Sequence, residues 1–275
     1  MLSYKHGFHA GNHADVLKHI ILIYLYNIVK KHNKSISYID THSGNGIYKY
    51  ISKYMEKNKE YKYGIKKIEK YQGNNKLILK YLKYLKLITK NNSFYPGSPL
   101  IIANLSSKLD KLFFFELHNN EYSELQKNLN KKTNVKIINN DGFKYIEKNL
   151  LKEKSYFILI DPSYEIKDDF IKIINILDNI EQYEKSKIII WYPILNFQEN
   201  DLFIEAIRKK GISKLINIEL PIKKNDEEKG MKGSGILIIN FFENKILKDL
   251  KALSKELHFY LKQNDDVYNP KVRYL

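Results

Sequence analysis

The sequence predicts an α/β fold: a three-layer sandwich with helices on both faces of a seven-stranded, mostly parallel sheet. Three observations carry this. Apolar strand-like runs and amphipathic helical stretches alternate along almost the whole chain, the order that builds parallel sheets. Residues 156–160, Tyr-Phe-Ile-Leu-Ile, have the composition of a strand buried on both faces, and they end at once in Asp161-Pro162. Proline has no N–H to give a ladder, so the strand stops there. Finally, Asp40 and the turn Thr41-His42-Ser43-Gly44-Asn45-Gly46 follow the first predicted strand, and such glycines let backbone approach a ligand closely.

The elements read as follows in chain order. Asn12 is placed to cap a helix over 13–31, with Asp15 in its first turn and Lys30, Lys31 and His32 in its last. Leu17, Ile20, Ile21, Tyr24 and Ile28 make its apolar stripe, and His19 falls on the opposite side, a surface position. Residues 35–39 form the first strand. A second ends at Glu116 after 112–115, some seventy residues further on, so residues 47–92 read as a small helical insertion within a single domain spanning 1–275. Tyr95-Pro96-Gly97-Ser98 is a turn leading into a helix over 98–109, and a further helix covers 121–131. Strand 135–138 runs into Asp141-Gly142, and helix 143–150 precedes the central strand. Beyond it come a helix over 166–180, strand 187–192, a helix over 197–210 ended by Gly211, and strands 215–220 and 236–242. The last two strands are joined directly through the polar loop 223–235, so the seventh strand is expected antiparallel. A helix over 245–261 closes the fold, and the tail after Asp265 is expected to be loosely held.

Composition narrows the function. With 275 residues and 43% hydrophobic content the chain can bury a large core, and the absence of cysteine excludes disulfides and thiolate metal sites. The first residues lack the apolar core of a signal peptide, and the longest apolar run, 20–29, is too short for a bilayer. A soluble, cytoplasmic, monomeric protein without membrane contact is expected. The net charge of +16 favours a polyanionic partner, and nucleic acid is the first choice. His6, His9 and His13 have loose spacing and no motif-spaced carboxylate, so no metal site is assigned.

Several blocks together carry a resemblance. Asp161-Pro162-Ser163-Tyr164 resembles the Asp-Pro-Pro-Tyr signature of S-adenosylmethionine-dependent methyltransferases acting on exocyclic amines. The opening run from Met1 to His19 resembles the start of the large-subunit ribosomal RNA adenine-N6 methyltransferase J family. So do Asp40-Thr-His42-Ser-Gly44, Tyr95-Pro-Gly-Ser98-Pro-Leu, Glu116-Leu-His, Asp141-Gly142-Phe, Trp191-Tyr-Pro and Gly230-Met-Lys-Gly-Ser-Gly235. The match runs in order through almost the whole chain, failing in the insertion and after about residue 245.

The resemblance implies a class I S-adenosylmethionine-dependent methyltransferase fold, a Rossmann-like sheet, and S-adenosyl-L-methionine as methyl donor. It implies one adenine of 23S ribosomal RNA as substrate. By resemblance, His19, His42, Ser98, Glu116, Asp141, Gly142 and Asp161 surround the cofactor. Asp161, Pro162 and Tyr164 act on the adenine, and Tyr4, His6, Lys18 and Tyr164 meet the RNA. Physics agrees on two points: a carboxylate ending the second strand suits ribose hydroxyls, and one after the third suits the adenine amine. Ser163 departs from the signature, which has a second proline there. Two other functions compete: a non-catalytic RNA-binding assembly factor, and a DNA adenine-N6 methyltransferase using the same signature.

Overall fold

A computed structural model describes residues 5–89, 93–150, 154–165, 168–179, 183–224, 230–241 and 243–275. After a 3-10 turn at His6–Phe8 the elements are α1 (His13–His32), β1 (Ser37–Asp40), β2 (Ile47–Lys49), α2 (Lys53–Asn58), α3 (Ile65–Ile68), α4 (Lys76–Thr89), β3 (Phe94–Pro96), α5 (Ser98–Leu105), β4 (Lys111–Phe115) and α6 (Asn119–Leu129). There follow β5 (Val135–Ile138), α7 (Gly142–Asn149), β6 (Phe157–Ile160), α8 (Asp168–Asp178), β7 (Lys187–Ile194), α9 (Phe197–Arg208), β8 (Leu215–Pro221), β9 (Gly233–Ile239), α10 (Asn244–Leu261) and β10 (Lys271–Tyr274).

The main sheet runs β10-β8-β9-β7-β6-β1-β4-β5. β7, β6, β1, β4 and β5 pair in parallel. β9 is antiparallel to both its neighbours, and β10 is antiparallel to β8. The α/β sandwich and the antiparallel seventh strand are as expected, but among the described residues the sheet has eight strands, not seven. The tail expected to be loose supplies the eighth. It is fastened from the side: the Arg273 guanidinium donates to Glu219 Oε1 at 2.9 Å, and Asn217 donates to the same oxygen at 2.7 Å. Glu219 is buried, so its charge requires that partner.

β9 begins at Gly233, inside what reads as a polar loop. Gly-Ser-Gly looks like a turn in sequence because glycine weakens strands. Here the Tyr192 ring of β7 lies against Gly235, where an added Cβ would sit 1.9 Å from Tyr192 Cζ. The ring occupies the place of the missing side chain, and its hydroxyl donates to Asn217 at 2.8 Å.

Two apolar clusters flank the sheet. One is built with α7, α8 and α9, the other with α1, α4, α5 and α10. Asn12 caps α1 as expected, accepting from the Ala14 and Asp15 N–H groups at 2.9 and 3.1 Å. The N-terminal half of α1 is buried on every side, so His19 is not a surface residue. Its far face is covered by the stretch between β2 and β3, whose Tyr61, Ile65, Ile68, Ile78 and Tyr81 join the same cluster as Leu17 and Ile21. That stretch is bracketed by an antiparallel pair, β2 with β3, which sequence reading placed partly in helix and turn. Among the described residues no helix is long and apolar enough to cross a membrane.

Candidate active site

Two cavities open at the carboxyl ends of the parallel strands and meet at one carboxylate. The larger, about 340 Å³, is bounded by the turn after β1, the start of α5, the ends of β4 and β5, and Asp161 after β6. The smaller, about 180 Å³, lies on the other side of Asp161 among Pro162, Tyr164, Trp191, Leu195 and Met231. His6, Lys18, Asp161 and Ser163 line both.

The larger cavity gathers every residue expected around a cofactor: His19, His42, Ser98, Glu116, Asp141, Gly142 and Asp161. Glu116 directly follows β4 and accepts from the Gly44 N–H and the His118 N–H, each at 2.7 Å. These bonds draw the glycine turn onto the end of β4. Each carboxylate oxygen still has a second lone pair for a ligand hydroxyl. Burial, chiefly, pushes the Glu116 carboxyl above its ordinary value. Asp141 caps α7 through Oδ1 alone, accepting from Phe143 and Lys144 at 2.9 and 3.2 Å, so Oδ2 takes no donor among the described residues. Gly142 packs against the β1 turn so tightly that an added Cβ would lie 2.4 Å from the Thr41 carbonyl oxygen.

His19 and His42 are held neutral by burial. Burial lowers His19 to about 3 and His42 to about 4. His19 Nδ1 lies 2.8 Å from the Tyr95 hydroxyl, which in turn lies 2.9 Å from that of Tyr81, and His42 Nδ1 lies 2.7 Å from Thr41 Oγ1. Ser98 donates to the buried Asp40 at 2.7 Å, and burial raises Asp40 to about 7.

Asp161 is the wall between the cavities. The Lys18 ammonium binds its Oδ2, and lies 2.8 Å from Asp15 Oδ1. Side-chain exposures of 4% for Lys18, 1% for Asp15 and 11% for Asp161 make this a buried triad. Burial penalises the Lys18 charge, but the two carboxylates hold its pKa above the usual lysine value. Burial likewise works against an ionised Asp15, yet His6 and Lys18 keep it well below the ordinary value. In Asp161 burial wins over Lys18 and the carboxyl is raised. Its Oδ1 takes no donor among the described residues, and neither does the Pro162 carbonyl.

Tyr164 sits with φ at 54°, in the left-handed region rarely used by residues with a side chain. Its N–H donates to Asp169 at 3.1 Å and its hydroxyl to the Trp191 carbonyl at 2.6 Å. Its ring lies between Phe170 and Trp191, at 4.6 and 5.5 Å. The strained conformation is thus fastened at both ends of the residue, with the ring on the smaller cavity.

Of the residues expected at the RNA, His6 and Tyr164 line that cavity, and Tyr4 lies outside the described residues. Lys18 lines it as well, but its ammonium is buried between two carboxylates and does not point to solvent. Sequence reasoning missed His118 and Glu121. His118 Nδ1 and Glu121 Oε2 are buried without a hydrogen-bond partner among the described residues, and both side chains line the larger cavity. It also missed the Trp191 indole N–H, unpartnered in the same sense beside the smaller cavity. The signal for His118 and Glu121 was their place just after a β-strand end.

S-adenosylmethionine fits this donor set. The cavity has the volume of a small-molecule site, two carboxylates follow adjacent strands, two polar atoms await partners, and neutral His19 and His42 do not repel a sulfonium.

Comparison with known proteins agrees with this geometry. Residues 33–266 match the family described as ribosomal RNA large subunit methyltransferase D, RlmJ. The chain is 36% identical over 265 residues to ribosomal RNA large subunit methyltransferase J of Haemophilus influenzae, covering 94% of each. It is 34% identical over 244 residues to the protein of the same name from Escherichia coli, covering 87% of each. A solved protein from Legionella pneumophila superposes with a TM-score of 0.83 at 31% identity, over 96% of this chain and 97% of that one.

Proposed function

Since the chain belongs to the RlmJ family of large-subunit ribosomal RNA methyltransferases, we propose that it methylates N6 of one adenine of 23S ribosomal RNA with S-adenosyl-L-methionine. The observation that carries this is the meeting of a nucleoside-sized cavity and a base-sized cavity at Asp161.

When bound, S-adenosylmethionine supplies a methyl group on a positively charged sulfur, a strong electrophile. The residues supply position and charge. Glu116 accepts from the ribose hydroxyls and Asp141 Oδ2 from the cofactor's adenine amine. The target adenine, turned out of its strand, enters the smaller cavity against Tyr164. An aromatic amine is a poor nucleophile because its lone pair is delocalised into the ring. Asp161 Oδ1 and the Pro162 carbonyl accept its two N–H bonds, which draws the nitrogen toward tetrahedral geometry and turns the lone pair toward the methyl. Lys18 holds Oδ2, aiming the carboxylate and opposing the upward push of burial on its pKa. Ser163 preserves both acceptors.

The reading includes a single domain with residues 47–92 as its insertion, acting as a monomer in the cytoplasm. Methyl transfer from labelled cofactor to unmodified 23S rRNA, beside a DNA duplex of the same sequence, tests it. Label should enter the RNA. Equal labelling of the duplex would mean that the substrate is wrong, and no labelling of either would favour a binding protein without turnover.

A further inference from the structure

Residues 47–92 hold 13 lysines against three glutamates, so this sixth of the chain carries ten of its sixteen net positive charges. Most of these lysines are spread over exposed helix faces. Three of them, with Lys5, converge where α2 docks on the His6–Phe8 turn.

There the Phe8 and Tyr54 rings meet edge to face at 5.2 Å and 86°. Gly7 lets α2 approach, since an added Cβ would lie 3.2 Å from Tyr54 Cβ. Lys5 Nζ donates to the Tyr54 hydroxyl at 3.1 Å and lies 4.9 Å from the centre of that ring. Lys53 Nζ lies 5.3 Å from the same ring, and Lys57 Nζ lies 5.3 Å from the Phe8 ring. Lys53 and Lys57 are exposed. Among the described residues none of the three ammonium groups has a carboxylate partner. Lys49 joins Lys5 and Tyr54 along the adjoining cleft, and this cluster is continuous with the active site because His6, between Lys5 and Gly7, lines both cavities. Across that cleft Glu121 and Glu124 would turn a phosphate away, which leaves the α2 side as the path.

We propose that Lys5, Lys53 and Lys57, held in place by the Phe8 and Tyr54 rings, form a clamp for the phosphates of the RNA strand next to the turned-out adenine. The proposal rests on the reading of the site as an RNA methyltransferase. A cation over an exposed ring gains only about 0.5–1 kcal/mol, too little for folding but enough to limit where a long side chain roams. An ordered lysine loses less freedom on gripping a phosphate than a free one does. The docking also ties the clamp to the turn carrying His6, so RNA held here lies beside the base cavity.

The test is RNA binding by wild type and by Lys5→Ala/Lys53→Ala/Lys57→Ala across a salt series, using the rRNA fragment that wild type methylates. Lys245→Ala/Lys248→Ala/Lys251→Ala on α10 removes the same charge elsewhere. Each phosphate contact on a single strand contributes about 0.7 to the slope of log K against log salt. The clamp variant should lose about 2 units of slope and bind at least about tenfold more weakly near physiological salt. The α10 variant should stay close to wild type, and both should titrate with S-adenosylmethionine as wild type does. Tyr54→Leu, which keeps bulk and loses the ring, should weaken binding with little change in slope. Equal losses in the two lysine variants, or a wild-type slope in the clamp variant, would overturn the proposal. A wild type that methylates no RNA would instead overturn the function from which it starts.

Discussion

Replacing Lys18 with methionine keeps its length and removes its charge, and the consequences can be worked from the buried triad. Asp15 and Asp161 would face each other, with Asp15 retaining the Gly11 N–H at 2.9 Å and His6 at 3.0 Å. Leaving a buried charge without its partner costs roughly 3–5 kcal/mol. The retained donors and the partial exposure of Asp161 favour the low end, about 3 kcal/mol. At about 2–4 °C per kcal/mol in chains of this size, Lys18→Met should melt roughly 6–12 °C below wild type. Activity should change in a separate way. Burial already raises the Asp161 carboxyl and Lys18 is the main charge opposing it. Without Lys18 the pKa rises further, so a smaller fraction is ionised at neutral pH and the acid limb of kcat against pH moves upward. Thermal melts and single-turnover pH profiles of Lys18→Met and of Lys18→Met/Asp15→Asn are the assay. The double variant should regain much of the melting temperature while its acid limb stays displaced. A Lys18→Met profile superimposed on that of wild type would refute the assignment of Lys18 to Asp161.

Three further outcomes follow from the same structure. Gly142→Ala forces a Cβ onto the Thr41 carbonyl, so α7 must withdraw; calorimetric titration should show at least about tenfold weaker S-adenosylmethionine binding, by the rule that backbone cannot yield as a side chain can. Arg273→Ala leaves the buried Glu219 with only Lys271, at 3.7 Å, as a cation, and should cost about 2–4 kcal/mol, below the roughly 3–5 kcal/mol of a fully unpaired buried charge; most of it should be recovered in Arg273→Ala/Glu219→Gln when both are compared by urea unfolding. Asp40 is raised by burial to about 7 in the folded state. Folding therefore favours its protonated form, and stability falls as pH rises from about 4 to 7. Asp40→Asn should melt above wild type by a margin that widens from pH 5 to pH 7 and then levels.

Much of this fold was legible because it is written in local patterns. The alternation of strand and helix located the sheet, and Asn12, with its side chain free to accept, marked the start of α1. Strand-end carboxylates and the glycine turn pointed to the larger cavity, because ligands of such sheets gather there whatever their chemistry. What escaped depended on contacts between distant residues. β10 pairs with β8, and its Arg273 and Lys271 meet Glu219, some fifty residues earlier. Gly233 and Gly235 lie in β9 where a side chain would collide, Gly233 with the Leu220 carbonyl of β8 and Gly235 with the Tyr192 ring of β7. His19 looked exposed on its own helix, but Tyr95, 76 positions later, stacks on it and meets its Nδ1. The Lys18–Asp161 pair spans 143 positions of sequence, which no spacing rule reaches.

The central claim is that Asp161 draws out the lone pair of an adenine N6 amine. Its most direct test is a single turnover on unmodified 23S rRNA with methyl-labelled cofactor, followed by digestion to nucleosides and mass spectrometry. Wild type should yield N6-methyladenosine at one site per molecule. Asp161→Ala should bind the RNA as well but transfer methyl on the order of 10²–10³ more slowly, the usual cost of losing one transition-state hydrogen-bond partner. Label on another atom, or wild-type turnover in Asp161→Ala, would contradict the account.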